Sequence, residues 1–236
     1  MGRAYEVRKA SIMKTGAAKA KLYSTYAKEI YQAAKSSTDI EANPTLKRLV
    51  ERAKKEQVPG DVIKRAIDKV NSGVDENYSQ VTYELFGPHQ STLLVDCLTD
   101  NINRTISSVR TVINKCNIKM GALGSINYMY DHVCIVGVMD SIDSVMDVMI
   151  ENDIDVIDID QEDDLVVITA APNLLFAIKN SLLNYKKDIV FELDEITKLP
   201  KDKITLDEIQ MVDFNKLLNM LEEIEDVSNV YHNVEI

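Results

Sequence analysis

The sequence predicts an α+β fold of three domains: an N-terminal three-helix bundle, followed by two ferredoxin-like α/β modules, one inserted in the other. Residues 1–72 hold sixteen Lys and Arg against eight Asp and Glu, whereas residues 73–236 hold eleven against thirty. The same boundary separates helical periodicity from short apolar runs that alternate with helical stretches. A basic helical part is therefore joined to an acidic α/β part.

Three helical segments in the first 73 residues predict the bundle. The first covers residues 11–35 and carries an apolar stripe at helical spacing, formed by Leu22, Tyr26, Ile30 and Ala33. Asn43-Pro44 is a typical N-cap with proline at the first position of a second helix. Val58-Pro59-Gly60 separates this helix from a third, which ends at residues 71–73.

Basic side chains crowd the outer positions of these helices and the segment that precedes them. Such a surface favours contact with phosphate groups, which gives affinity without sequence readout. The predicted nucleic-acid interface consists of Arg3, Arg8, Lys9, Lys14, Lys19, Lys21, Lys28, Lys47, Arg48, Arg52, Lys54, Lys55, Lys64 and Arg65. The alternative is a solvated helical surface without a partner.

Two further interpretations of the bundle are weaker. The second and third helices, joined across Pro59-Gly60, could form a helix-turn-helix, but no residue marks a recognition helix. Tyr23, Tyr26 and Tyr31 could stack on exposed bases. Their position near the apolar stripe of the first helix favours partial burial in the core instead.

Strand patterns begin after Gly73. The first α/β module is predicted from strands at 81–86, 92–98 and 126–130, with a helix at 101–116. The buried stripe of that helix is expected to contain Ile102, Ile106, Val109, Ile113 and Cys116.

A second cycle has the order β-α-β-β-α-β of a ferredoxin-like unit. Its strands are expected at 133–138, 154–159, 165–169 and 189–193, and its helices at 141–152 and 172–183. Ile142, Val145, Met146 and Met149 are expected to face inward. Residues 198–203 are interpreted as a polar exit.

A last helix at 214–224 and a strand at 227–230 have no nearby partner, so we expect them to return to the first module. The predicted domains are therefore residues 1–75, residues 76–131 with 206–236, and an inserted acidic domain at residues 132–205.

A second candidate site lies at the start of the helix at 101–116. Arg104 stands in the first turn, where the helix dipole disfavours a cation, and free terminal amides there could help it bind a phosphate or carboxylate. The candidate residues are Thr99, Asp100, Asn101, Asn103, Arg104 and Thr105. Alternatively, Thr99 or Asp100 caps the helix, and Arg104 pairs with Asp100 or Glu84.

Evidence for catalysis is lacking in the sequence. The acidic hairpin at 153–164 lacks the EF-hand pattern and is expected to be a solvated edge with protective charge. His89, His132 and His232 have no partners at metal-ligand spacing, and no nucleotide-binding glycine motif is present. We therefore predict a non-enzymatic protein without a cofactor, and no small-molecule substrate is evident.

The composition predicts a cytoplasmic protein without a membrane partner. No apolar run approaches the length that spans a bilayer, and the N-terminus has no secretory signal pattern. Cys97, Cys116 and Cys134 are expected to be free thiols in a reducing compartment.

Several stretches of the first 131 residues resemble the YebC/PmpR family, which includes mitochondrial translational activators. The resemblance lies in residues 41–46, 53–54, 58–59, 63–67, 83–88, 98–105 and 120–126, and Leu-Thr-Asp-Asn-x-Asn-Arg-Thr at 98–105 is specific. Many members begin Gly-His-Ser-Lys-Trp-Ala, whereas this chain has Gly2-Arg3-Ala4-Tyr5 and no Trp, which is similar to the YeeN-like branch.

The resemblance implies the same three-domain architecture and a role in regulating gene expression. Family members are described as DNA-binding transcriptional regulators or as translation factors at the ribosome. The resemblance therefore favours a DNA-binding transcriptional regulator, with a ribosome-associated translational activator that contacts ribosomal RNA as the alternative. The residues do not choose between duplex DNA and ribosomal RNA as partner.

Overall fold

A computed structural model of the protein describes residues 16–73 and 76–235. The described residues up to Asn127, together with Ile204–Glu235, form one compact unit, and Tyr128–Lys203 form a second. The α+β class is confirmed by helices and two four-stranded antiparallel sheets. The boundaries of three separate domains stay a prediction, and residues 11–15 of the first predicted helix lie outside the described residues.

The helical part of the first unit contains α1 (Gly16–Ala34), α2 (Pro44–Lys55) and α3 (Gly60–Asn71). Asn43 caps α2 because its side-chain oxygen accepts the Leu46 N–H at 3.1 Å. The same side chain donates to the Ala33 carbonyl at 2.9 Å, so it also ties the end of α1 to the start of α2. Apolar side chains that include the fully buried Ile30, Leu46 and Ala53 form the core of the bundle.

The first sheet contains β1 (Ser79–Phe86), β2 (Thr92–Thr99), β3 (Lys119–Met120) and β8 (Val227–His232), in the order β3-β1-β2-β8. Two helices, α4 (Ile102–Cys116) and α7 (Glu208–Glu222), share one buried apolar cluster with it, which includes Leu85, Leu93, Val109, Phe214 and Leu217. The expected return of the C-terminal segment to this module is confirmed, since β8 pairs with β2.

The second unit contains β4 (Tyr130–Met139), α5 (Ile142–Glu151), β5 (Val156–Glu162), β6 (Leu165–Ala170), α6 (Leu175–Tyr185) and β7 (Phe191–Pro200). Its sheet order is β5-β6-β4-β7, so the predicted β-α-β-β-α-β unit is confirmed. The last strand extends through Pro200, where the sequence indicated a polar exit, because Tyr130–Val133 of β4 pair with Thr197–Pro200.

One predicted strand is wrong. Residues 126–130 do not continue the first sheet: Asn127–Met129 form a short 3₁₀ helix, and the third strand is Lys119–Met120. The Ile126 side chain is buried, but its N–H binds the Glu84 carboxylate instead of a neighbouring strand. The residues after this glycine turn therefore resemble a strand in the sequence. In the structure, however, the N–H of Ile126 binds a carboxylate side chain and not a neighbouring strand.

Two residues expected to face inward are exposed. Ile102 lies on the same helical face as Val109, but in the first turn of α4, and stays 47% exposed. Met146 is 43% exposed, and Val148 is buried in its place beside Val145.

The buried carboxylate of Glu84 shapes the loop at residues 121–127. It accepts the N–H groups of Gly124, Ile126 and Asn127, the last two at 2.5 and 2.9 Å. Gly124 has φ +83°, a conformation that other residues rarely adopt. A carboxylate that accepts three backbone donors replaces the water it loses on burial, so Glu84 holds this loop in one conformation.

We expect Glu84→Gln to lower the free energy of unfolding by about 2 kcal/mol, because an amide group turns one acceptor into a donor that faces backbone N–H groups. Amide hydrogen exchange should accelerate at Gly124, Ile126 and Asn127. The matched control is Glu151→Gln, at an exposed position of α5. Unchanged exchange at the three amides would show that Glu84 does not order the loop.

Candidate nucleic-acid interface

The lysines that recur every seven residues along α1 face the rest of their own unit. Lys28 Nζ lies 3.2 Å from Asp226 Oδ1, and Lys21 donates to the backbone carbonyl of Glu222, the last residue of α7. Lys35, in the same series, donates to the Glu76 carbonyl at 2.8 Å. Seven residues are nearly two helical turns, so Lys21 and Lys28 share one face of α1, and Lys35 directly follows the helix. Lys21 and Lys28 are therefore engaged inside the protein.

Two arginines of α2 also interact with carboxylates within the bundle. Arg48 and Arg52 are half-buried and lie near Glu29 of α1. Burial raises the pKa of Glu29, and these guanidinium groups offset part of the rise. Arg52 Nη2 also lies 3.8 Å from Glu56 Oε1, and the Tyr26 hydroxyl donates to the same oxygen at 2.8 Å. Charge complementarity between α1 and α2 accounts for this pair of arginines.

The other predicted basic residues of α1–α3 remain on the outside, and we call them the bundle surface: Lys19, Lys47, Lys54, Lys55, Lys64 and Arg65. Lys47 pairs with Glu41 at 2.6 Å, and Arg65 pairs with Asp61 one turn away. Exposed ion pairs of this kind contribute little to stability, so the cation can exchange its carboxylate partner for another anion. Lys19, Lys54 and Lys64 form no ion pair with any described residue.

Four predicted residues, Arg3, Arg8, Lys9 and Lys14, lie outside the described part of the chain. Of the tyrosines considered for base stacking, Tyr26 and Tyr31 are buried and Tyr23 is half-buried, which confirms the core interpretation.

The candidate anion site at the start of α4 already contains an internal anion. Arg104 donates through Nη2 to Asp100 at 2.7 Å and to Asp226 at 2.9 Å. Asp226 is 5% exposed and also contacts Lys28. The predicted pairing of Arg104 with Asp100 is confirmed, whereas Glu84 binds the loop described above. The carboxylate of Asp226 therefore occupies the place of the expected phosphate.

The remaining residues of this turn complete the same network. Asn101, rather than Thr99 or Asp100, caps α4 by accepting the Arg104 N–H at 3.1 Å. Buried Thr99 accepts the Asn101 N–H at 2.9 Å. The Thr105 hydroxyl lies 2.8 Å from that of Thr99 and 2.9 Å from Asp226 Oδ2. Asn103 is exposed beside this network.

The pKa of Asp226 reflects two opposed effects. Burial raises the pKa of this carboxyl, but hydrogen bonds from Arg104, Thr105 and Lys28 together lower it below the ordinary value of 3.8. Sequence reasoning missed Asp226 because it lies more than a hundred residues from Arg104 in the chain. Only the return of β8 to the first sheet brings it there.

A cleft of about 360 Å³ lies between α1 and α3, and its lining includes Tyr31, Arg65, Lys69, Glu76, Tyr78 and Glu225. Its cations have acidic partners, such as Lys69 with Glu76 at 2.6 Å. The rings of Tyr31 and Tyr78 meet edge to face at 5.9 Å, so they do not form an open stacking slot. The cleft thus offers little net charge to a phosphate.

The acidic hairpin is an exposed edge, as expected: β5 is the outer strand of its sheet, and Asp158, Asp160 and Asp163 are exposed. Among residues 16–73 and 76–235, no cluster of three or more His, Cys, Asp or Glu side chains could hold a metal ion. No helix in these two ranges is long and apolar enough to cross a membrane.

The protein consists of a helical bundle followed by two small antiparallel sheets, and one α/β module is inserted in the other. This arrangement defines its fold class. The family profile described as "TACO1/YebC protein N-terminal domain" matches residues 3–73, and "TACO1/YebC second and third domain" matches residues 78–234. The chain therefore belongs to the TACO1/YebC family.

Relatives with curated names match this chain over nearly the full length of both sequences. A protein of Acholeplasma laidlawii is 44% identical over 99% of this chain and 98% of its own, and one of Idiomarina loihiensis is 44% identical over 100% of both. Both are named probable transcriptional regulatory proteins. The crystal structure of a conserved hypothetical protein from Aquifex aeolicus matches with a TM-score of 0.75 and 32% identity, over 94% of this chain and 93% of that one.

We expect Asp226→Asn to lower the free energy of unfolding by about 2 kcal/mol, because it leaves Lys28 and Arg104 without their shared buried partner. The figure is below that for a fully buried pair because Arg104 is half-exposed. Urea unfolding at neutral pH measures it.

The sign of the pH dependence tests the same contact. A lowered pKa stabilises the folded state above the unfolded value of 3.8, and this contribution is lost as pH falls through the lower folded value. The difference between wild type and Asp226→Asn should therefore shrink as pH falls below 3.8. A difference that stays constant would mean that the carboxylate charge does not contribute.

Proposed function

We propose that this protein is a non-enzymatic, cytoplasmic regulator of gene expression that binds nucleic acid through the bundle surface. The observation that carries the proposal is the exposure of Lys54, Lys55 and Lys64 on a bundle whose attached α/β part has net charge −19. Phosphate groups are attracted to such a surface and repelled by the acidic remainder, so contact is confined to one side of the bundle.

Duplex DNA is the first candidate partner. The names of the relatives support it, since the curated relatives above are called probable transcriptional regulatory proteins. Because no residue marks a recognition helix, we expect the exposed lysines and arginines to contact phosphates rather than base edges. The proposal therefore expects DNA binding with weak sequence preference and strong dependence on salt.

We expect the triple variant Lys54→Gln, Lys55→Gln and Lys64→Gln to weaken binding to DNA duplexes of unrelated sequence by a similar factor. Removing one lysine–phosphate interaction should reduce the slope of log K against log salt concentration by about 0.9, hence by up to about 3 for the triple variant. Glutamine keeps a good helix propensity, so the bundle should stay folded. Fluorescence anisotropy over a salt series measures both quantities.

The control variant changes the same charge elsewhere: Lys186→Gln, Lys187→Gln and Lys201→Gln, at exposed positions of the second unit. An equal loss in both variants would attribute the effect to net charge alone. Unchanged binding in the triple variant of Lys54, Lys55 and Lys64, which we call the bundle variant, would contradict the proposed surface.

A ribosome-associated translation factor is the second candidate. The observation that favours it is that α3 exposes Asp61 and Asp68 beside Lys64 and Arg65. Inserted into a DNA groove, this helix would bring carboxylates close to two rows of phosphates, whereas folded ribosomal RNA can be contacted from one side.

Sedimentation of native lysate through a sucrose gradient at two salt concentrations separates the two candidates. Co-migration with ribosomes that decreases as salt rises, and that the bundle variant reduces, would support the translation factor. A protein that stays at the top of both gradients would leave DNA as the partner.

A further inference from the structure

One stretch of the acidic α/β part carries no acidic residue. Residues 101–130 contain Arg104, Arg110, Lys115 and Lys119 but no Asp or Glu. Residues 73–236 hold eleven basic and thirty acidic residues in total, so the rest of this part has seven against thirty, or net −23. Arg104 pairs with Asp100 and Asp226, which leaves three cations of this stretch, Arg110, Lys115 and Lys119, to act as a local positive charge in an acidic background.

The stretch forms α4, β3 and the loop that follows, and its polar residues face outward. Thr105, Val109, Val112 and Ile113 bury the opposite side of α4. We call the exposed set the α4 surface: Asn103, Ser107, Arg110, Thr111, Asn114, Lys115, Asn117 and Lys119. From residue 103 to residue 115 the helix rises about 18 Å, a length that spans several nucleotides of an extended strand.

The cations of the α4 surface differ from several of those in the bundle. Arg110, Lys115 and Lys119 form no ion pair with any described residue. Lys28, Lys47, Arg65 and Lys69 each have a carboxylate within 4.0 Å. Unpaired cations lose no internal partner when they meet a phosphate, and their neighbours are Asn, Ser and Thr, which donate hydrogen bonds to phosphate and sugar oxygens.

An apolar side chain lies at the end of this surface. Leu123 is 94% exposed at the tip of the loop that Glu84 holds, four residues after Lys119 and so within about 14 Å of it. An exposed leucine on a loop fixed by three hydrogen bonds to one buried carboxylate presents its side chain at little entropic cost. Apolar side chains in such positions can pack against unstacked bases.

From these observations we propose that the α4 surface is a second nucleic-acid contact, which binds the phosphodiester backbone of a strand with unstacked bases, with Leu123 against a base. The inference rests on the proposed function for the class of partner, but it assigns a surface on the α/β part, separate from the bundle surface. Polar and basic side chains without acids match the phosphate backbone, and an isolated leucine matches a splayed base better than a stacked duplex.

The test compares three variants that each remove three positive charges. The first, the α4 variant, combines Arg110→Gln, Lys115→Gln and Lys119→Gln. The other two are the bundle variant and the control variant in the second unit. Binding is measured over a salt series with a single-stranded RNA, a single-stranded DNA and a duplex DNA as probes. We expect the α4 variant to weaken single-strand binding at least tenfold and to reduce the salt slope by about 2, close to 0.7 for each phosphate contact. The RNA and DNA strands distinguish the two sources of the same backbone.

Leu123→Ala is a separate arm, because an apolar contact changes affinity without changing the number of released ions. It should weaken single-strand binding severalfold with an unchanged salt slope, and leave duplex binding as it is. The side chain is exposed, so its truncation removes no core packing, and circular dichroism of every variant checks the fold. A duplex effect equal to the single-strand effect would overturn the role assigned to Leu123.

The outcomes separate this inference from the proposed function. Loss of binding in the bundle variant with no change in the α4 variant overturns the second surface and leaves the first. Loss in the α4 variant alone supports the second surface and contradicts the bundle surface. A wild-type protein that binds none of the probes overturns both.

Discussion

The joint between the bundle and the first sheet depends on one buried carboxylate. Asp226 receives hydrogen bonds from Arg104 and Thr105 of α4 and from Lys28 of α1. A carboxylate that is 5% exposed is stable there only because cations and a hydroxyl replace its water. This contact, together with those of Lys21 and Lys35, holds α1 against the rest of its unit.

The contacts of the first helical segment with the rest of its unit explain how positive charge is divided in the chain. One side of α1 turns its lysines toward Asp226, the last carbonyl of α7 and the Glu76 carbonyl. A helix C-terminus carries partial negative charge, so the lysine at Glu222 complements the helix dipole as well. Charge that appears in the sequence as one basic block is therefore used for two purposes, internal attachment and external exposure.

Charge and exposure together suggest that the acidic part is more than a solvated body. The loop at 121–127 needs a buried glutamate, a glycine with positive φ and three backbone donors to keep one exposed leucine in place. The three hydrogen bonds to Glu84 fix the backbone on both sides of Leu123. The α4 surface and this loop form a continuous stretch of the chain, which favours a shared role in binding.

Local pattern by itself determined the class of fold, the three bundle helices and the βαββαβ order of the insertion, because periodicity and capping are properties of neighbouring residues. The return of the last strand followed from the order of the elements, since that strand has no partner nearby in the sequence. Tertiary structure decided the contacts between residues that are distant in the sequence, which a local pattern does not specify. Residues 126–130 resemble a strand, but Glu84, about forty residues earlier, binds their N–H groups. Lys21 and Lys28 resemble Lys54 in the sequence, yet only the first two meet partners from α7 and the turn after it. Contacts between residues this far apart are set by the topology of the chain, so which charges stay free could be decided only by the folded structure.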